Sequence, residues 1–186
     1  CFSGAKPRSY GVTGEVLVEN GNVAEQDIGR VLAACDVPDF GAGREAIHAM
    51  PINFALDHRT GLSDPRGQIG NKLSVDMHLL TVDAHVLDNL LACIKRCDLE
   101  LAGVVSSAYA SAISALVEDE QELGAACIDF GGGSTGVSVF FKKHMIFADS
   151  VRIGGDLVTS DISQGLQVPR EEAERMKTVH GGVIAT

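Results

Sequence analysis

Tryptophan is absent from this chain, and aromatic residues make up only 5% of it. Its core must therefore be mostly aliphatic. Basic residues are also scarce: 15 Lys and Arg stand against 25 Asp and Glu, a formal net charge of −10. That balance argues against nucleic acid as a partner, because neutralising phosphates needs clustered cations. No apolar run is long enough to span a bilayer, and no signal peptide is present. The cysteines are few and odd in number: Cys1, Cys35, Cys93, Cys97 and Cys127, with no C-x-x-C. This argues against a disulfide framework and favours a reduced, cytoplasmic setting. Cys93 and Cys97, four apart on a helix face, read as ordinary buried thiols, since no further metal ligands stand at suitable spacing. The six histidines form no H-E-x-x-H or other paired motif, so each reads as a surface or packing residue.

What is present is 45% hydrophobic residues over 186 positions, enough for one large domain or two small ones. The chain opens at Cys1 without a methionine and stops at Val183–Thr186, like a strand just beginning, which suggests a fragment lacking both ends. The first stretch reads as a small α+β unit. Glu15–Val18 is strand-like, Asn20-Gly21 a turn, and Ile28, Val31, Leu32 and Cys35 recur at helical spacing. A loop from Asp36 to Gly43 follows, then two short strand-like runs flanking Pro51, a turn at Asp57–Gly61, and a loop from Arg66 to Asn71. Next, Leu73, Val75, Met77 and Leu79 alternate with Ser74, Asp76, His78 and Leu80; Leu80 alone breaks the period of a half-buried strand. Val86, Leu87, Leu90, Leu91 and Ile94 mark an amphipathic helix, Leu99–Val105 a second strand, and Ser107 to about Val117 an alanine-rich helix. Strand and helix alternate here as in an α/β layer. The last stretch reads as strands at Ala125–Ile128, Val137–Phe141 and Met145–Ile153. A helix then opens at Gly154-Gly155-Asp156, and another runs from Pro169 to His180 before Gly181-Gly182.

The run from Asp129 to Gly136 satisfies three motifs at once. Gly131, Gly133 and Gly136 fit a dinucleotide fingerprint; Gly132, Ser134 and Gly136 fit a nucleophile elbow; Asp129–Thr135 fits a phosphate loop between two strands. The first two require a helix immediately after the glycines. Val137-Ser138-Val139-Phe140-Phe141, β-branched and aromatic, is instead a good strand. The third reading needs that strand. It lets backbone N–H groups reach phosphate oxygens and lets Asp129, at the end of the preceding strand, hold a metal ion through water. The bland alternative is a glycine-rich hairpin with no ligand. Gly154-Gly155-Asp156 is a weaker signal of the same kind, at a helix N-terminus. Glu174 and Lys177 lie three apart on one helix face, which in isolation is a solvated ion pair.

Several segments together resemble the FtsA family of bacterial cell-division proteins. They are Glu118–Gly124 leading into Ile128–Thr135, then Gly154–Ile162, Ala173–Lys177 and His180-Gly181, with Ile47–Pro51 through Asp57, Pro65–Gly67 and Gly70 earlier in the chain. The resemblance implies an α/β, actin-like ATPase (ribonuclease H-like) fold, here a partial chain, carrying an inserted α+β subdomain called 1C. Residues 1–72 would be most of 1C, 73–123 the second half of subdomain 1A, and 124–186 the first part of subdomain 2A. It implies ATP and Mg2+ as cofactors, bound by Asp129, Gly131, Gly132, Gly133, Ser134, Thr135, Gly154 and Gly155. Glu174 and Lys177 would lie at the ribose and Asp129 at the ion through water. It further implies self-association into protofilaments, downstream division proteins docking on 1C, and FtsZ and the membrane engaged through parts not in this chain. The setting would be the cytoplasmic face of the membrane at the septum. Gly136 departs from the family, which often has Asp there. A fragment with only one of two phosphate loops is expected to bind ATP weakly or not at all, and not to hydrolyse it. No nucleophile–base pair points to other chemistry. The alternatives on the same superfold are a pilus-assembly relative and a sugar kinase.

Overall fold

A computed structural model describes residues 2–41 and 43–182. Cys1 and the strand start expected at Val183–Thr186 lie outside the described residues. In chain order the elements are β1 (Arg8–Leu17), α1 (Glu25–Ala33), β2 (Arg44–Leu56), β3 (Arg59–Leu62), β4 (Lys72–Asp83), α2 (Ala84–Arg96), α3 (Ser107–Ala115), α4 (Glu118–Leu123), β5 (Ala125–Phe130), β6 (Thr135–Phe141), β7 (His144–Val151), α5 (Gly155–Leu166) and α6 (Arg170–His180). They build two antiparallel sheets, one of order β1-β4-β2-β3 and one of order β5-β6-β7.

β4 is the strand on which the first sheet is organised. It pairs with β1 from Lys72 to Thr81 and with β2 from Leu73 to Asp83. The run expected to open a second unit after residue 72 is thus the centre of the first sheet. Alternation revealed that strand but not its partners, because period two says which face is buried and not which strand lies alongside. The departure at Leu80 has a physical cause. Leu73, Val75, Met77 and Leu79 pack with Val12, Val31 and Phe54 under α1, whereas Leu80 faces Ala112, Phe140, Met145 and Ala148 of the second unit. Val82, on that same side, joins Phe2, Ala5 and Leu87 beside α2. β4 is therefore buried on both faces over its second half, and Leu73 and Leu80 each contribute about 1.5–3 kcal/mol by burial.

Several local expectations need correction. The two runs flanking Pro51 form one strand, β2, with register shifts at Ala46/His48 and Pro51/Asn53. Proline is tolerated there because β3 pairs with β2 only from Phe54 onward, so Pro51 sits on an edge where no N–H is needed. The turn after Asp57 is shorter than expected, since β3 begins at Arg59. Leu99–Val105 is no ladder strand: among the described residues only its end is met by another segment, through the Phe2 N–H bond to Val105 O beside an isolated bridge between Phe2 and Ser106, and Leu99 and Leu101 are exposed. Apolar character made it strand-like, but among the described residues no strand lies beside it to pair with. Cys93 and Cys97 are exposed, not buried, because α2 turns its Leu87 side to the core and leaves its C-terminal turn outside.

Two close features have measurable consequences. Gly14 lets α1 touch β1 backbone to backbone: a Cβ there would lie 2.6 Å from Val31 O and 2.9 Å from Cys35 N. Gly14→Ala is expected to destabilise the protein by about 1–3 kcal/mol, read as a lowered urea midpoint. His78 is 2% exposed, and neither ring nitrogen has a hydrogen-bond partner among the described residues. Burial, with a smaller contribution from His48, pushes it from 6.5 down to about 4. Its folded-state value lies below the unfolded one, so the unfolded chain binds more protons between those values. Stability is then full above pH 6.5 and falls as pH drops towards 4, by at most about 1.4 kcal/mol per unit. His78→Leu should stabilise the fold and flatten denaturation midpoints over that window; an unchanged pH profile would refute the assignment.

Candidate phosphate-binding site

The second sheet presents its glycine run as a hairpin tip. β5 and β6 pair antiparallel from Ala125–Phe140 to Phe130–Thr135, and β7 pairs on the far side of β6. A strand, not a helix, therefore follows the glycines, which removes the dinucleotide and nucleophile-elbow readings. At the tip, Gly131 N–H donates to Ser134 O at 2.9 Å. The N–H groups of Gly132, Gly133 and Ser134 make no hydrogen bond to the described residues. Three adjacent bare donors on a turn are an anion-binding arrangement. None of the three glycines adopts a positive φ. At Gly131 the reason for glycine is close approach, since a Cβ would lie 2.8 Å from Ser134 O.

The tip is seated on the start of α5. Gly155 N–H donates to Gly131 O at 3.0 Å and Asp156 N–H to Gly132 O at 2.8 Å. The approach is so close that a Cβ on Gly154 would stand 2.3 Å from Gly132 O and 2.5 Å from Gly131 O. The Gly154-Gly155 pair thus fastens the loop to the helix. Two of the helix's N-terminal donors are spent on loop carbonyls, which turns those carbonyls inward and leaves the loop's own N–H groups outward. Thr135 adds a further tie, donating its hydroxyl to Ile153 O at 2.7 Å.

Glu174 and Lys177 join this assembly through α5. Lys177 Nζ donates to Gly155 O at 3.1 Å and to Thr159 Oγ1 at 2.9 Å, and pairs with Glu174 at 2.7 Å. The Thr159 hydroxyl in turn donates to Glu174 Oε2. The Lys177 ammonium, then that hydroxyl, hold the Glu174 carboxyl below the usual carboxylate range. Lys177 and Glu174 are thus pinned at the helix start, adjacent to the glycine loop. Thr159, fully buried, is the hub that sequence reading missed. Its place four residues after Gly155, on the α5 side facing α6, is the signal that could have found it.

Asp129 lies on the other side of the loop, on the face of β5 turned to α3. Ser111 Oγ donates to its Oδ2 at 2.9 Å, a second contact not foreseen from sequence. Gly136, its cross-strand partner, allows that packing: a Cβ there would stand 3.2 Å from the Ala108 Cβ. That close approach accounts for glycine at this position. Among the described residues no three His, Cys, Asp or Glu side chains gather as a metal site. Asp129 alone, with Oδ1 unbonded, fits an ion held through water and not one directly caged by protein. Asp129 and Gly131–Ser134 line a cavity of about 160 Å³, whose other wall includes Phe2, Gly4 and Ala5. Across the loop, Asp156 sits beside Gly132 and pairs with Arg170 at 3.4 Å.

Comparison with known proteins gives this arrangement a lineage. Residues 4–81, which contain β1 to β3 and nearly all of β4, match the family model described as the SHS2 domain inserted in FTSA. Residues 126–186 match the model of cell division protein FtsA. Cell division protein FtsA of Rhizobium meliloti is 43% identical over 87% of this chain and 37% of its own length. That of Pseudomonas aeruginosa is 32% identical over 99% of this chain and 44% of its own length. The chain thus spans less than half the length of these relatives. Among solved structures, a PilM-PilN type IV pilus biogenesis complex superposes with a TM-score of 0.53 at 13% identity, over 95% of this chain and 70% of that one. That likeness concerns the fold alone, the actin-like ATPase fold. With both of its sheet units matched by models of one family, the chain belongs to the FtsA family of cell-division proteins.

Proposed function

We propose that this chain carries half of the nucleotide clamp of an ATP-binding, actin-like cell-division protein. That protein tethers FtsZ filaments to the cytoplasmic face of the membrane at the septum and recruits later division proteins through its inserted sheet. The observation that carries the reading is the hairpin tip, with the N–H groups of Gly132, Gly133 and Ser134 bare and their carbonyl neighbours tied back to α5. Donors oriented in advance bind a phosphate without the cost of ordering a loop. Asp129 would hold Mg2+ through water, and the ion would neutralise charge between the phosphates. Glu174 and Lys177, fixed at the α5 start, would meet the ribose once the ligand is bound, exchanging part of their mutual pairing for its hydroxyls. Family membership supports the division role over the sugar-kinase and pilus-assembly alternatives. Nucleotide state would bias assembly into protofilaments; hydrolysis, where it occurs in the whole protein, would be slow.

The reading is tested on the full-length protein. Wild type should bind Mg-ATP in equilibrium dialysis and pellet with FtsZ filaments. Asp129→Asn should weaken Mg-ATP by tenfold or more, about 1.4 kcal/mol, with unchanged circular dichroism. Gly154→Ala should abolish binding, because its Cβ would force the loop off α5. Wild-type affinity in both variants contradicts the site.

A further inference from the structure

The cavity beside the glycine loop has a wall that belongs to neither sheet. Residues Phe2–Pro7 cross from the start of α3 to the start of β1, and Phe2, Gly4 and Ala5 face Asp129 and Ser134 across the cavity. The segment is fixed at both ends by backbone bonds. Phe2 N–H donates to Val105 O at 2.7 Å, and Ser107 N–H, at the first residue of α3, donates to Phe2 O at 2.9 Å. Asp83 N–H, at the end of β4, donates to Ala5 O at 3.0 Å. Arg44, the first residue of β2, donates through Nη2 to Lys6 O at 2.8 Å and also holds Thr81 O. Phe2 and Ala5 are buried beside Val82 and Leu87. Between the anchors the chain passes the loop itself: Gly4 has φ +74°, and a Cβ there would lie 3.8 Å from Ser134 Oγ.

The space between the segment and the loop is about 160 Å³. Pockets that take drug- or nucleotide-sized ligands run from about 300 Å³ upward. With the segment docked, the space left between it and the loop falls below that range and is of phosphate-group size. We propose that Phe2–Pro7 is a strap that competes with the nucleotide for the glycine loop, so that occupancy of the site reports to the inserted sheet. This rests on the nucleotide reading above. Lifting the strap frees the Ser107 and Asp83 amides, which begin α3 and cap α2, and releases Arg44 at the mouth of β2. Those elements lie among the contacts between the inserted sheet and the rest of the chain, beside the Leu80 and Ser9 joint. Linkage makes the effect reciprocal: whatever loosens the strap favours the ligand, and the ligand loosens the strap.

The test is amide hydrogen exchange on the full-length protein with and without saturating Mg-ATP, with ATP affinity measured on the same samples. The strap predicts that nucleotide speeds exchange at Asp83 and Ser107 by fivefold or more. It also predicts that Arg44→Ala, outside the cavity, tightens ATP binding by threefold or more. Unchanged exchange at both amides with nucleotide bound overturns the strap while leaving the nucleotide site standing, whatever the affinity of Arg44→Ala. A wild-type protein that binds no nucleotide overturns both. Should Arg44→Ala fail to fold, the wild-type exchange result decides alone.

Discussion

The molecule depends on β4 being buried on both faces. One face of that strand closes the core under α1, and the other receives Phe140, Met145 and Ala148 of the second sheet together with Ala112 of α3. A strand shared in this way joins the two units without a linker, because neither can shed its neighbour without exposing Leu80. Ser9 reinforces the joint: its hydroxyl donates to Ala148 O and accepts from Ala148 N–H, both at 2.8 Å, capping the exposed edge of β7 from β1. The unpartnered His78 lies in this same double-sided region. Leaving a polar ring unsatisfied there costs stability, and it makes the joint sensitive to acid.

On that frame the hairpin tip is held by contacts with no slack. Gly154 touches two loop carbonyls, Gly131 touches Ser134 O, and Lys177 reaches back to Gly155 O. The glycines of the motif act as spacers that allow backbone to meet backbone, and the resulting inward carbonyls are what leave the outward N–H groups available. The site is thus assembled from the β5–β6 hairpin, α5 and α6, with Ser111 of α3 bonded to Asp129.

Much of this was legible beforehand, for identifiable reasons. The strand behind the glycines was marked by β-branched and aromatic residues at Val137–Phe141, and that one feature separated three motifs that the glycines alone could not. Helix starts at Gly155 and Arg170 were marked by glycine and proline. What stayed hidden was everything set by partners distant in sequence. The alternation of β4 could not say that β1 and β2 flank it. The apolar run Leu99–Val105 could not say that, among the described residues, no strand pairs with it. The i,i+4 spacing of Cys93 and Cys97 could not say which side of α2 meets the core. Ser111 and Thr159 were invisible because a hydroxyl becomes part of a site only through the neighbour that it bonds.

The central claim is that the Gly132–Ser134 amides are donors waiting for phosphate. It is tested most directly by titrating isotope-labelled full-length protein with Mg-ATP and following backbone amide resonances. The account predicts that Gly132, Gly133 and Ser134 N–H signals move downfield together and saturate with one affinity, while Gly165, on the far end of α5, stays still. Saturable nucleotide binding that leaves those three amides unmoved would contradict it.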